Sequence, residues 1–121
     1  MNYLTLACSG SGVMDYLRID DVVVDTIGGT WNNDYYTLPD GIYIASITPS
    51  NTPTPTFMSG TTLNVKENGV ATRIVQSTIT SLNNCSLVDV IIAPAGTTVE
   101  IAFYRATSGA CDLSARVVKM S

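Results

Sequence analysis

The side chains that most often carry out enzyme chemistry are sparse in this sequence. It contains no histidine, which excludes imidazole-based acid–base catalysis, a histidine-containing triad and imidazole metal ligands. The densest acidic group is Asp20, Asp21 and Asp25, but Ca²⁺ needs about six to eight oxygen ligands and the spacing here matches no calcium loop. We interpret this group as a solvated turn. The sequence therefore predicts no metal, no cofactor and no enzymatic activity.

Thiol chemistry is possible at Cys8, Cys85 and Cys111, although none of them lies in a recognisable nucleophile motif. Three cysteines cannot all pair within one chain, which favours buried free thiols in a reducing compartment. A bridge between Cys85 and Cys111 is the alternative. The stretch Leu4-Thr5-Leu6-Ala7-Cys8 is loosely similar to a lipoprotein cleavage site, but no basic leader precedes it. We expect an unprocessed chain made in the cytoplasm of its host.

Aromatic residues are the remaining group that could bind a ligand. A surface on which sugar rings stack could be formed by Trp31, Tyr35, Tyr36, Tyr43 and Tyr104. Aromatic residues in this number more often anchor a core or an interface. Both interpretations stay open at the level of sequence.

The charge balance excludes two classes of partner. The net charge is −4 and the six Lys and Arg residues are scattered, so nucleic acid, which needs a basic stripe, and anionic membrane surfaces are not expected partners. No segment approaches the length of a transmembrane span. Charged residues make up 13% of the chain and hydrophobic residues 45%, a balance that favours burial of some surface in an oligomer.

Turn signals rather than helical periods organise the chain. The strongest is Asn68-Gly69, which suits a type I′ hairpin. The prolines of the 49–56 stretch predict a surface loop, either a plain connection or a recognition loop within 49–60. Strands are predicted near residues 3–7, 13–19, 22–27, 34–38, 41–48, 61–67, 70–80, 86–93, 97–105 and 113–120.

The predicted strands are of two kinds. Residues 22–24, 41–47 and 87–92 are apolar on both faces, whereas 62–66 and 98–103 alternate strictly. A jelly roll interleaves its strands between two sheets in this non-sequential manner. We expect the first group and the last strand to form an inner sheet, and the strands near 61–67, 70–80 and 97–105 to form an outer one. A strand that is apolar on both faces needs a second cover, for which another subunit is the predicted source.

Alternation along a strand also assigns side chains to faces. The side chains expected to point into the core are Leu63, Val65, Val99, Ile101 and Phe103, with Ala102 facing water. On 86–93, Leu87, Asp89 and Ile91 share one face. A lone carboxylate is costly in a core, so this face is predicted to lie between subunits. The full predicted interface comprises Leu87, Asp89, Ile91, Arg116, Val118 and Tyr43, in which Asp89 and Arg116 either pair or are solvated independently.

The first twenty residues stand apart from this regular block. Ser9-Gly10-Ser11-Gly12 forms a flexible joint between two short apolar runs. We divide the chain into residues 1–20, an extra hairpin or, by preference, an arm that reaches a neighbour, and residues 21–121, the sandwich domain.

Three motifs carry a family resemblance over roughly residues 22–121. They are Tyr36-Thr37-Leu38-Pro39-Asp40-Gly41-Ile42-Tyr43, then Leu63-Asn64-Val65-Lys66-Glu67-Asn68-Gly69, then Ala95-Gly96-Thr97-Thr98-Val99-Glu100-Ile101. In order and spacing they resemble the complement-globular-head and tumour-necrosis-factor-like jelly rolls. The resemblance implies an all-β jelly-roll sandwich that forms a homotrimer with its inner sheets around a threefold axis. Thr97 replaces the usual Asp of that family, which weakens any analogy with a calcium site.

A small, Thr-rich, unprocessed trimer of this kind resembles the decoration or cement proteins on the heads of tailed bacteriophages. That resemblance implies a structural virion protein that binds the major capsid protein on the outer capsid surface. The N-terminal segment, with Tyr3, Leu4, Leu6 and Tyr16, is the predicted capsid-binding element. The alternative is a receptor-binding head of a fibre or spike, whose 49–60 loop and aromatic residues touch host glycan or protein.

Overall fold

The computed structural model describes residues 1–8, 14–50, 59–79, 86–106 and 112–121. Apart from one 3₁₀ turn at Ile19–Asp21, the regular elements of these residues are strands. They are β1 Tyr3–Cys8, β2 Met14–Leu17, β3 Val22–Asp25, β4 Thr30–Asn32, β5 Tyr35–Leu38, β6 Gly41–Ser50, β7 Ser59–Glu67, β8 Val70–Ile79, β9 Leu87–Ala93, β10 Val99–Ala106 and β11 Asp112–Lys119. In the described part of the chain, no helix has the length and apolar character needed to cross a membrane.

All the predicted strands are present, and β4 is an addition. It pairs with β5 across the two-residue turn Asn33-Asp34, in which Asn33 adopts a positive φ of 52°. Asn is one of the few residues other than Gly that tolerates this conformation. The predicted turn at Asn68-Gly69 is confirmed, with φ values of 50° and 79° that fit a type I′ hairpin between β7 and β8.

The strands form two antiparallel sheets. One has five strands in the order β3-β1-β11-β6-β9, and the other has six, with the order β4-β5-β10-β7-β8 and β2 paired to β10. The predicted division is confirmed, because the strands that are apolar on both faces join the last strand in the five-stranded sheet. Apart from the hairpins β4-β5 and β7-β8, consecutive strands alternate between the two sheets in the manner of a jelly-roll sandwich.

The prediction of an N-terminal arm is wrong. Strand β1 lies between β3 and β11 inside the five-stranded sheet, and β2 belongs to the other sheet. Leu4 and Leu6 alternate with partly exposed Tyr3 and Thr5, and both leucines are fully buried. A strand with one face in the core has this pattern. The first twenty residues therefore contribute one strand to each sheet.

The core lies between the two sheets. As predicted, the side chains of Leu63, Val65, Val99, Ile101 and Phe103 point into it. Ala102, expected to face water, is instead almost fully buried, because large side chains on the solvent side of the sheet cover it.

The predicted faces of β9 are reversed. Leu87 and Ile91 are buried in the core, whereas Val88, Val90 and Ile92 are 50–63% exposed. Tyr43, also predicted for the interface, is buried too, and its hydroxyl donates to the Pro39 carbonyl at 2.6 Å. The assignment failed because it assumed that no partner for Asp89 exists on the core side.

Candidate interaction surfaces

The outward face of the five-stranded sheet carries in-register rows of apolar side chains. One row crosses four strands and comprises Tyr3, Val118, Ile44 and Val90. The next comprises Met120, Ile42 and Ile92, joined by a 2.7 Å hydrogen bond from Met120 N to Ile42 O. Met120, Ile42 and Ile92 are all exposed. We call these two rows the apolar face.

The same sheet becomes more polar away from the apolar face. The adjoining row contains Thr5, Arg116, Ser46 and Val88. The Arg116 guanidinium lies 5.5 Å from the centroid of the Tyr3 ring, a cation–π arrangement. The charged Arg116 side chain therefore packs against an aromatic ring of its own protomer. The sheet thus presents a graded surface, from small polar side chains to branched apolar ones.

The structure separates the predicted interface residues. Arg116 and Val118 lie on the outward face, whereas Leu87, Ile91 and Tyr43 lie in the core. Asp89 lies on the core side at the sheet edge, so the hypothesis that it pairs with Arg116 is wrong. The exposed apolar side chains of β6 and β9 were not among the predicted interface residues. Alternation with a period of two divides the side chains of a strand into two faces, but it does not show which face points into the core.

A cross-sheet ion pair explains the position of Asp89. Strands β8 and β9 are edge strands of different sheets, and Arg73 on β8 reaches across to β9. Its Nη2 atom lies 2.9 Å from Asp89 Oδ2, an ion pair without good hydrogen-bond alignment. The same nitrogen donates to the Val90 carbonyl at 3.0 Å. Arg73 thereby ties the strand that carries Val88, Val90 and Ile92 to the opposite sheet.

The outward face of the six-stranded sheet carries a different group, which we call the tyrosine cluster: Tyr16 on β2, Tyr35 on β5 and Tyr104 on β10. The Tyr16 and Tyr104 rings meet edge to face with centroids 4.8 Å apart, and Tyr35 lies 6.5 Å from Tyr16. All three rings are half-buried. Lys66 Nζ lies 4.1 Å from the Tyr35 ring centroid.

The tyrosine cluster also explains the burial of Ala102. Tyr104 lies two residues after Ala102 on the same face of β10. Because Ile101 pairs with Tyr36 and the strands are antiparallel, Tyr35 on β5 lies beside Ala102. The small alanine side chain therefore lies beneath bulky aromatic neighbours.

Charged side chains border the tyrosine cluster. Arg18 Nε donates to Asp34 Oδ1 at 2.6 Å, and Arg18 Nη1 forms an ion pair with Asp15 at 2.9 Å. The Arg18 hydrogen bond holds the pKa of Asp15 below its usual value. Burial raises the pKa of Tyr16 above its usual value. The turn at Asn33-Asp34 places the Asp34 carboxylate beside the cluster.

The other aromatic candidates lie elsewhere. The Tyr36 hydroxyl accepts from Gly29 N at 2.8 Å and is 3.0 Å from both Asp25 oxygens. Trp31 packs against the Tyr36 ring with centroids 5.1 Å apart. Asp25, predicted to lie in a solvated turn, also accepts from Ile27 N at 3.0 Å. Tyr36 and Trp31 therefore stabilise the crossing from β3 to β4 rather than forming a ligand surface.

A polar cavity of about 190 Å³ lies at one end of the sandwich, lined in part by Cys8, Arg18 and Arg105. Arg105 Nη1 donates to Cys8 Sγ at 3.3 Å. Burial raises the pKa of the Cys8 thiol, and the Arg105 charge offsets part of that rise. Among the described residues, no three His, Cys, Asp or Glu side chains come together as a metal site. Cys85, Cys111 and most of the 49–60 loop lie outside the described residues.

No protein-family model matches the chain, and no curated protein matches its sequence. Solved structures match its fold. The globular domain of zebrafish complement 1qA protein has a TM-score of 0.61 at 6% identity, covering 100% of this chain and 98% of that one. Murine APRIL at pH 8.5 gives 0.53 at 16% identity, covering 97% and 98%. A Clostridium thermocellum xylanase 10B structure of CBM22-1 and GH10 modules, complexed with xylohexaose, gives 0.51 at 10% identity. This match covers 100% of this chain but 29% of that one. The chain has the two-sheet jelly-roll fold of the complement C1q and tumour-necrosis-factor-like globular domains.

Proposed function

We propose that this protein is a structural binding protein that acts as a homotrimer, and that its copies pack through the apolar face of the five-stranded sheet. The observation that carries the proposal is the exposure of Val90, Ile92 and Ile42 in adjoining register on one sheet. Each square ångström of apolar surface removed from water stabilises an assembly by about 25 cal/mol. Self-association is therefore a favourable way to cover these side chains.

The size of the sheet is consistent with a specific interface. Four strands spaced about 4.8 Å apart and the three rows described above, spaced about 6.8 Å apart, give roughly 400 Å² of projected face. Specific interfaces bury about 800 Å² per partner, so the face and its flanking edge residues together are of the required order. Jelly-roll domains of the C1q and tumour-necrosis-factor-like kind are homotrimers, which supports three copies rather than two.

A matched pair of substitutions tests the trimer. Ile92 on the apolar face and Ile74 on the six-stranded sheet are 59% and 62% exposed, so a charge at either position has a similar cost within one protomer. We expect the native mass, measured by light scattering, to fall from three chains to one in Ile92→Asp and to stay at three in Ile74→Asp. A wild-type protein that stays monomeric when concentrated would contradict the proposal.

We further propose that the trimer decorates the outer surface of a phage head and is assembled in the host cytoplasm. A trimer placed where copies of the major capsid protein meet would bridge them and oppose their separation. Three simultaneous contacts give avidity even when each contact is weak. Support for this step comes from the fold and the low share of charged residues, 13%.

The capsid contact needs a surface other than the predicted N-terminal segment. Leu4 and Leu6 are buried in the core and cannot contact a capsid. Tyr3 belongs to the apolar face, and Tyr16 belongs to the tyrosine cluster, for which a different ligand is proposed below.

Copy number in purified particles distinguishes decoration from the alternative, a receptor-binding head. The exposed tyrosine cluster is the observation that favours the alternative. Decoration predicts that purified protein, added to heads that lack it, binds in high copy over the whole surface. A few copies confined to a fibre or spike would instead support the receptor-binding head.

A further inference from the structure

The proposed trimer leaves the outward face of the six-stranded sheet free, because the two sheets face opposite sides of the sandwich. The tyrosine cluster lies on this free face. Its three aromatic rings come from three strands that are distant in sequence, and each keeps part of its surface in water. From its geometry we infer that the tyrosine cluster binds a neutral glycan.

The rings supply the apolar half of such a site. They cover Ala102 and form a joined aromatic surface, with Tyr16 inclined at 65° to Tyr104 and at 42° to Tyr35. Sugar rings present C–H groups on one face, and an aromatic side chain offers a rigid surface for them at a low cost in conformational entropy. The three phenol hydroxyls remain as donors and acceptors at the rim.

Polar side chains around the rings supply the other half. Asn64, Lys66 and Glu100 share the outward side of the neighbouring strand positions and are partly exposed. An amide, an ammonium and a carboxylate together can donate to and accept from sugar hydroxyls. This mixture of hydrogen-bonding groups suits a polyol.

The local charge argues against polyanions. Lys66 and Arg18 contribute two cations, but Arg18 is already held by Asp15 and Asp34, and Glu100 is a third carboxylate nearby. Nucleic acids and sulfated glycans need an excess of unpaired cations, which these residues do not supply. A neutral glycan has no such requirement.

The apolar face already supplies a surface for a second copy of this chain. The tyrosine cluster instead combines aromatic rings with charged side chains that already pair with one another. In a trimer, three clusters would point away from the threefold contact and bind a multivalent glycan with avidity. This multivalency rests on the proposed trimer, whereas binding at one cluster does not.

Affinity electrophoresis of the full chain tests the inference. Native gels contain dissolved dextran, mannan, galactan or xylan as the neutral probe, and parallel gels contain heparin. We expect retardation by at least one neutral polysaccharide and none by heparin. Tyr35→Ala and Tyr104→Ala should each weaken the affinity at least about fivefold, whereas Tyr104→Phe, which keeps the ring and loses only the hydroxyl, should weaken it less than Tyr104→Ala does.

Ile74→Ala is the control, since Ile74 is exposed on the same sheet but is not part of the cluster. If Tyr104→Ala fails to fold by circular dichroism, Tyr35→Ala on the shorter strand β5 decides the outcome. Retardation by none of the neutral polysaccharides, retardation by heparin alone, or equal retardation of Tyr35→Ala and wild type would overturn the inference. A monomeric native mass would overturn the trimer alone, because a single cluster would still retard the monomer, although less strongly.

Discussion

The two outward faces of this sandwich differ in how far their apolar side chains are covered within the protomer. On the five-stranded sheet, Val90 and Ile92 are 50% and 59% exposed among the residues that the structure describes. On the six-stranded sheet, the tyrosines cover Ala102, and their hydroxyls and the charges around them remain at the surface. The first face needs another molecule to cover it, whereas the second is already complete within the protomer.

This difference assigns different work to the two faces. Apolar side chains without polar partners favour permanent burial, as in subunit interfaces. Aromatic side chains with polar borders favour reversible contact, because they are stable both free and bound. We therefore interpret the five-stranded sheet as an assembly face and the six-stranded sheet as a recognition face.

The largest expected effect comes from the crossing between the two sheets. Gly29 lies between β3 of one sheet and β4 of the other, and a Cβ atom there would lie 2.4 Å from both the Thr37 carbonyl oxygen and the Tyr36 ring. We expect Gly29→Ala to lower the free energy of unfolding by about 3 kcal/mol, the upper range for overpacking. Urea unfolding at one protein concentration measures the change.

Gly28→Ala is the matched control for that substitution. Gly28 is adjacent, has a positive φ of 82° and has open space around its Cβ position. Its cost is therefore backbone strain alone, about 1 kcal/mol. Equal losses for the two variants would show that the crossing accommodates a Cβ atom at Gly29 and is not tightly packed there.

Local patterns predicted the sheets, but they could not predict which side of each strand faces out. Turn residues such as Asn68-Gly69 and the alternation along β10 are short-range signals, so the strands and their division between sheets could be found from sequence. The orientation of β9 depended on Arg73, a residue of the other sheet that sequence spacing does not bring near Asp89. Tyr35 and Tyr104 were among the aromatic candidates, but their grouping with Tyr16 could not be predicted, because β2 and β10 meet only in the folded chain.

The next effect concerns alkaline pH and the tyrosine buried at the crossing. Burial raises the pKa of Tyr36, so the folded chain keeps this proton after the unfolded chain begins to lose it near pH 10. Stability is therefore full below about pH 10 and falls above it, by up to about 1.4 kcal/mol per pH unit for this one group. Urea unfolding between pH 8 and 11 measures the fall.

Tyr36→Phe should be less stable at neutral pH, because it leaves Gly29 N without its acceptor, and should show a smaller fall on the alkaline side. Tyr43 and Tyr16 also have raised pKa values through burial, so some dependence will remain in that variant. An unchanged alkaline fall in Tyr36→Phe would assign the effect to these other groups.

The smallest expected effect tests the tie between the edges of the two sheets. Arg73 and Asp89 side chains are 44% and 20% exposed, so solvent screens their ion pair and its loss should cost about 1 kcal/mol or less. We expect Asp89→Asn and Arg73→Met each to lower stability by this amount, and the double variant to lose less than the sum of the two. Because Arg73 also bonds the Val90 carbonyl on the strand that carries the apolar face, Arg73→Met should weaken trimer formation more than Asp89→Asn does. Sedimentation equilibrium measures both association constants, and equal values would show that the edge of the assembly face is positioned without the opposite sheet.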